Sequence, residues 1–267
     1  MKTQTFTILH SNDLHGDFHS EKKADLVMEG GLSLLSGYLK KIREENENCF
    51  YFISGDMFCG SLLDSEHKGL KTIELMNYLL PDVVTVGNHE FGYGLPQLLF
   101  LEKLANFPII NANVYLKRYG KRLFKSHLLL EKNGIRILVI GVVTHEAMER
   151  IKKESNIAEY IGMEEPQGEI RKICNAYKTE DIDLTILLTH IGLEEDRKLA
   201  ASLDPELGID LILGGHSHTF HEAPEKVNHI LIAHAGKGTD QIGQFSVVID
   251  RDNNNIVDFR WDLIPIS

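Results

Sequence analysis

The stretch Val84-Thr85-Val86-Gly87-Asn88-His89-Glu90-Phe91-Gly92 constrains the chain more than any other. A β-branched apolar run reads as a buried strand, and it stops at a glycine followed by an amide and an imidazole side by side. In α/β proteins the carboxyl ends of the strands are where ligands bind. Taken alone, Asn88-His89 is better explained as a polar turn closing a strand. The pair gains meaning because the arrangement recurs.

Asn12-Asp13-Leu14-His15-Gly16 follows an apolar run at 5–10, and Gly55-Asp56 follows Cys49–Ser54. Thr189-His190 closes a run that begins at Leu184, and Gly214-Gly215-His216-Ser217-His218 closes 211–213. Five polar clusters thus sit just past the ends of predicted strands. Such positions converge on one sheet edge, so their side chains can meet although they lie far apart in sequence.

Between the clusters, apolar positions repeat at helical spacing over 32–47, 71–80, 95–106, 165–177 and 194–202, while 82–86 and 107–110 read as further strands. Strands alternating with helices indicate a layered α/β domain. From Leu123 the rhythm changes: 126–131, the turn Asn133-Gly134 and 136–143 form a two-residue hairpin with favoured turn chemistry. The tail is a run of strands at 230–234, 241–250 and 256–263. The expectation is one domain over 1–267, a sandwich of two sheets with helices outside.

No apolar run approaches the ~20 residues of a membrane helix, so no membrane partner is expected. Residues 1–9 read as a first strand and not as a signal peptide, which makes a cytoplasmic location the expectation. A net charge of −11 disfavours extended nucleic acid, yet a small anionic substrate held through metal ions stays compatible. Cys49, Cys59 and Cys174 are widely spaced without a CxxC, against a disulfide framework or a thiolate zinc site; each reads as a small core residue.

The clusters hold imidazole, carboxylate and amide oxygen, the ligand set of hard-to-borderline divalent ions such as Mn, Fe, Zn, Ni or Co. D-x-H and H-x-H spacings let two ligands of one turn reach one ion or two neighbouring ions. Two ions about 3.5–4 Å apart need a bridging carboxylate and can clamp a phosphoryl group. Asp56, alone after its glycine, suits that role. Each fragment by itself is a common turn; five together in this context are a metal site.

The blocks D-x-H, G-D, G-N-H-E, T-H and G-G-H-S-H resemble the signature of the calcineurin-like metallophosphoesterase superfamily. His10-Ser11-Asn12-Asp13-Leu14-His15-Gly16, Gly87-Asn88-His89-Glu90-Phe91 and Asn111-Ala112-Asn113 are similar to the catalytic domain of bacterial 5′-nucleotidases and 2′,3′-cyclic-nucleotide phosphodiesterases. The resemblance implies a four-layer α/β/β/α sandwich of two mixed sheets flanked by helices. It implies one metal on Asp13, His15, Asp56 and His218, and a second on Asp56, Asn88, His190 and His216, manganese being the first expectation. His89 corresponds to the family's catalytic histidine beside the transferred phosphoryl group. The implied activity is hydrolysis of small phosphate esters, with nucleotides as the first substrate class, by attack of a metal-bridging hydroxide.

Two departures stand out. In the nucleotidases the block commonly continues with an aspartate that orients the catalytic histidine, and Gly92 stands there. Those proteins also carry a C-terminal domain that stacks the base, and none is expected within 1–267. The rivals are a phosphodiesterase on cyclic nucleotides or other diesters, and a metal-bound binding module with weak catalysis. Tyr93, beside Gly92, is a candidate for the substrate pocket. His145 and His221 can lie near the cleft or serve as surface and turn residues. Gly236-Lys237-Gly238 lacks a Walker pattern and suits a close backbone approach at the rim.

Overall fold

A computed structural model describes residues 2–22, 27–146, 148–149 and 157–267. Two six-stranded sheets lie face to face. The first runs Asn255–Pro265, Gln241–Asp250, Thr3–Ser11, Cys49–Ser54, Val83–Thr85, Ile109–Ile110. The second runs Glu225–Val227, Ile230–His234, Leu211–Gly214, Leu184–His190, Ile135–Val143, His127–Lys132. Four strands in each are parallel and the others antiparallel, so both sheets are mixed.

Alternation along the strands builds the layers, because successive side chains point to opposite faces. Phe6, Ile8, Phe50 and Phe52 of the first sheet pack between the sheets with Ile137, Val139, Ile186, Leu188 and Leu213 of the second. Leu9, Tyr51 and Ile53 point the other way, onto Leu35 and Leu39 of α1 (Gly31–Glu45), then past α2 (Leu62–Glu66) to Ile73 and Met76 of α3 (Leu70–Leu79) and Leu98 of α4 (Leu95–Leu104). On the far side Leu138, Ile140 and Leu187 meet Ile170 and Ile173 of α5 (Pro166–Ala176) and Leu199 of α6 (Leu193–Ser202). This is the four-layer α/β/β/α sandwich. No helix among the described residues is long and apolar enough to cross a membrane.

The expected hairpin is present: Lys132 pairs with Ile135, and Asn133 and Gly134 take φ of 51° and 78°, as a type I′ turn requires. Three differences matter. The strand expected to end at 188 continues through His190, so that residue is presented by the sheet itself. The tail divides, Ile230–His234 joining the second sheet while Gln241–Asp250 and Asn255–Pro265 return beside Thr3–Ser11. A small sheet of Val114–Leu116, Lys121–Arg122 and Ile161–Met163 escapes sequence reading because its strands are too short to show a period.

Polar groups join the sheets where the parallel strands end. His10 Nε2 lies 3.1 Å from Ser54 Oγ, and Ser54 Oγ donates to the Leu213 carbonyl at 2.6 Å, crossing from one sheet to the other. Burial, reinforced by the nearby His234 imidazole, lowers the His10 pKa from 6.5 to about 3. The unfolded chain therefore holds this proton more tightly than the native one. The stabilisation is complete above pH 6.5 and is lost as pH falls toward 3. Relative to His10→Gln, the native protein should lose stability on acidification with a slope of up to about 1.4 kcal/mol per pH unit, read from urea denaturation between pH 4 and pH 8.

Candidate metal centre

Each candidate ligand is delivered by the loop or last residue of a parallel strand. Asp13 and His15 follow Thr3–Ser11, Asp56 follows Cys49–Ser54, and Asn88 and His89 follow Val83–Thr85. His190 ends its own strand, and His216 and His218 follow Leu211–Gly214. Asp13, His15, Asp56, His216 and His218 all take left-handed backbone conformations, with φ between 52° and 80°. Such conformations cost of order 1–3 kcal/mol each for a non-glycine residue and persist at functional sites. Asp and His tolerate them better than β-branched residues do.

Two groups result. Asp13, His15 and His218 bring ligand atoms within 4.8 Å of one another, and so do Asp56, His190 and His216. In the first, His218 Nε2 lies 3.3 Å from Asp13 Oδ1 and 3.1 Å from His15 Nε2. In the second, His190 Nε2 lies 3.1 Å from Asp56 Oδ2, and His216 Nδ1 lies 3.0 Å from Asn88 Oδ1. A third grouping of His15, Asp56 and His89 links the two. The structure thus brings together every residue expected as a ligand.

The outer contacts aim these rings. His15 Nδ1 faces the Phe58 carbonyl at 3.2 Å, and His190 Nδ1 faces the Ser54 carbonyl at 2.8 Å. A carbonyl only accepts, so both Nδ1 atoms carry protons and both Nε2 atoms face the cluster. Asp13 Oδ1 and His190 Nε2 are buried side by side at 3.9 Å, and neither makes a well-aligned hydrogen bond although His218 and Asp56 stand close to them. Buried polar atoms are rarely left so, and a divalent cation between them is the partner this donor set fits.

Charge points the same way. Burial opposes ionisation of Asp56, but the His190 imidazole beside it holds the carboxyl below the usual range. Burial also opposes a charge on His190, yet Asp56 and Asp13 raise it to about 10. A proton fills the place of a cation here, so metal binding must displace it and tightens as pH rises.

Two residues of the clusters carry a role that spacing did not assign. Glu90, buried, accepts from the Asp56 amide at 2.9 Å, the Met57 amide at 2.6 Å and the Gly87 amide. It ties the Asp56 loop to the Asn88 loop. Asn12 donates to Asp13 Oδ2 at 2.6 Å and accepts from the Ala235 amide at 2.8 Å. A carboxylate directly after the Asn88-His89 pair, with no ligand role of its own, was the available signal for Glu90. The glycine between strand and ligands is there for space: a Cβ on Gly87 would collide with Asp56 Oδ1 and lie 2.7 Å from the His190 ring.

His89 stands at the edge of the cluster, its side chain 33% exposed and Nε2 4.0 Å from Asp56 Oδ2. Its amide donates to Asp56 Oδ1 at 2.9 Å, and its ring meets His15 edge to face at 5.1 Å. Among the described residues, no carboxylate is nearest to the place left by Gly92. Cys59 fills that space, its sulfur 2.8 Å from where a Cβ would stand; it packs against the core on one side and lines the cleft on the other. Cys49 and Cys174 are buried in the core. Tyr93 donates to Asp64 at 2.6 Å and its hydroxyl stands beside Cys59, behind the residues that line the cleft. His145 is exposed, and His221 is buried against His234 and Glu225. Lys237 and Gly238 do form the rim, the Gly238 amide donating to the Asp13 carbonyl.

A four-layer sandwich whose facing sheets gather Asp, His and Asn at one edge defines a metallophosphoesterase-type protein. The calcineurin-like phosphoesterase family model matches residues 6–220, and the chain belongs to that family. A 5′-nucleotidase of Vibrio vulnificus is 32% identical over 243 residues, which cover 84% of this chain and 42% of that one. The chain thus spans less than half the length of that relative. In fold, it is similar to a 5′-nucleotidase precursor from Thermus thermophilus (TM-score 0.86, 24% identity, 98% of this chain and 55% of that one). It is similar also to the calcineurin-like phosphoesterase YfkN from Bacillus subtilis (TM-score 0.84, 24% identity, 99% and 92%).

Two outcomes follow from this geometry. Gly87→Ala should remain folded by circular dichroism but hold less divalent metal than the parent, measured by elemental analysis after manganese loading and gel filtration. Gly92→Asp should gain turnover only together with Cys59→Ala, which frees the space a carboxylate needs; the single variant should gain none in a steady-state assay.

Proposed function

We propose that this chain is a dinuclear-metal hydrolase of small phosphate esters, with nucleotides as the first substrate class. The observation that carries this reading is the convergence of Asp13, His15 and His218 with Asp56, His190 and His216 into two adjoining ligand groups, bridged by a third of His15, Asp56 and His89. Asp13, His15, Asp56 and His218 would hold one ion, and Asp56, Asn88, His190 and His216 the other. Bound there, two divalent ions, manganese being the first expectation, supply Lewis-acid charge to phosphoryl oxygens and make a water nucleophilic near neutral pH.

The chain's own groups do the rest. His89, at the exposed edge of the cluster, can hydrogen-bond a phosphoryl oxygen or pass a proton to the leaving oxygen. Its backbone amide, fixed on Asp56, keeps the ring beside the reacting group. Burial pushes the Cys59 thiol up to about 12, so the cysteine of the cleft is not a nucleophile and no covalent intermediate is invoked. The similarity to the Vibrio vulnificus 5′-nucleotidase supports nucleotides as substrates.

The test is turnover of p-nitrophenyl phosphate under Mn²⁺ alongside its bis ester, since preference for the diester would favour the phosphodiesterase reading. Asp56→Ala and His216→Ala should lose turnover and bound metal together. His89→Asn should keep the metal and lose on the order of 10²–10⁴-fold in kcat. A fully active, metal-free Asp56→Ala protein overturns the proposal, and bound metal without turnover on any ester favours the binding-module reading.

A further inference from the structure

Next to the metal cluster lies a cleft of about 430 Å³ that the ligand residues only partly line. Its floor carries Asp13, His15 and His218, and its far side is Phe220, Lys237 and Gln241. Phe220 is a large apolar side chain left 53% exposed at the mouth of a polar site. Solitary exposed hydrophobic residues are ordinary on a surface and carry no meaning alone. What distinguishes this one is how it is held.

The Phe220 ring rests on Gly236: a Cβ there would collide with the ring and lie within 2.6 Å and 2.7 Å of two of its carbons. Gly236, at φ 84°, takes a backbone conformation suited to glycine, and its amide donates to the Thr219 carbonyl at 2.8 Å. Phe220 itself pairs with Ala235 in an isolated bridge. Asn12 locks that segment to the metal cluster by accepting from the Ala235 amide and donating to both the Gly236 carbonyl and Asp13. Gln241 closes the loop from the other side, donating to the carbonyls of Ala235 and Lys237. One face of the ring is therefore backed by main chain that Asn12, the residue before Asp13, holds in place. The ring stands two residues after His218, a chain length of at most about 7 Å.

We propose that Phe220 is a platform on which the leaving group's nucleobase stacks when a nucleoside monophosphate places its phosphate at the metal cluster. This rests on the phosphoester-hydrolase reading and adds to it a specificity-determining residue supplied by this chain. An aromatic ring offers any base a π face, without regard to its identity, and the low entropy cost of a pre-fixed ring favours stacking. Polar groups at the rim suit the sugar between base and phosphate: Asp17 as acceptor and Lys237 as cation both line the cleft.

The test compares adenosine 5′-monophosphate with ribose 5-phosphate, which shares the phosphate and sugar and lacks the base. In the manganese-loaded protein, Phe220→Ala should raise KM for the nucleotide on the order of tenfold and leave kcat and ribose 5-phosphate kinetics unchanged, with Phe220→Leu intermediate. A second readout needs no turnover. Phe220→Trp adds a fluorophore at the platform to the single native tryptophan, Trp261, and adenosine should quench it saturably while ribose does not. Equal effects of Phe220→Ala on both esters, or no quenching by adenosine, overturn the platform. Absence of wild-type turnover on p-nitrophenyl phosphate and on both sugar phosphates would instead overturn the hydrolase reading, and the fluorescence titration would still decide the platform.

Discussion

The structure depends on one electrostatic demand: Asp13, Asp56 and His190 are buried together at the edge where two sheets meet, and their acceptors face one another. Removing charged groups from water costs free energy that only pairing can offset. Without an ion, a proton on His190 offsets part of it; Asp13 Oδ1 has His218 beside it but no well-aligned hydrogen bond. A divalent cation held there would satisfy these groups together. The same demand explains why the surrounding contacts are so tightly specified.

Those contacts form a scaffold whose parts depend on one another. Ser54 donates its hydroxyl to Leu213 of the second sheet and its carbonyl receives His190, so the seam that closes the sandwich also orients a ligand. Glu90 spends a buried carboxylate on the three amides that shape the Asp56 and Asn88 loops. The left-handed conformations at five candidate ligands are kept because these hydrogen bonds over-determine the loops. Packing between the sheets and the geometry of the site are thus one problem, solved by the same residues.

The polar half of the site was legible in the sequence because each ligand stands at a strand end, where a change from apolar to polar residues is visible locally. His190 was placed just past a strand it in fact completes, an error of boundary without consequence for its position. Less legible were residues whose role depends on a neighbour distant in the chain. Cys59 packs against the core, yet its sulfur also occupies the space beside Gly92, and the Tyr93 phenol is held by Asp64. Nothing local to residue 59 or 93 encodes those partners. Phe220 was likewise silent, since its meaning comes from Gly236 beneath it and Asn12 behind it.

By itself the sequence determined the layered α/β class, the order of the longer strands and helices, the hairpin at Asn133-Gly134 and the identities of the candidate ligands. These follow from periodicity, turn chemistry and residue type, all of which act over a few residues. Only the tertiary structure decided which sheet each tail strand joins, that the two sheets end at one edge, which ring nitrogen each histidine turns inward, and what stands beside His89. Those outcomes rest on contacts between residues far apart in the chain, where burial and hydrogen-bond satisfaction select one arrangement from several that the local pattern permits.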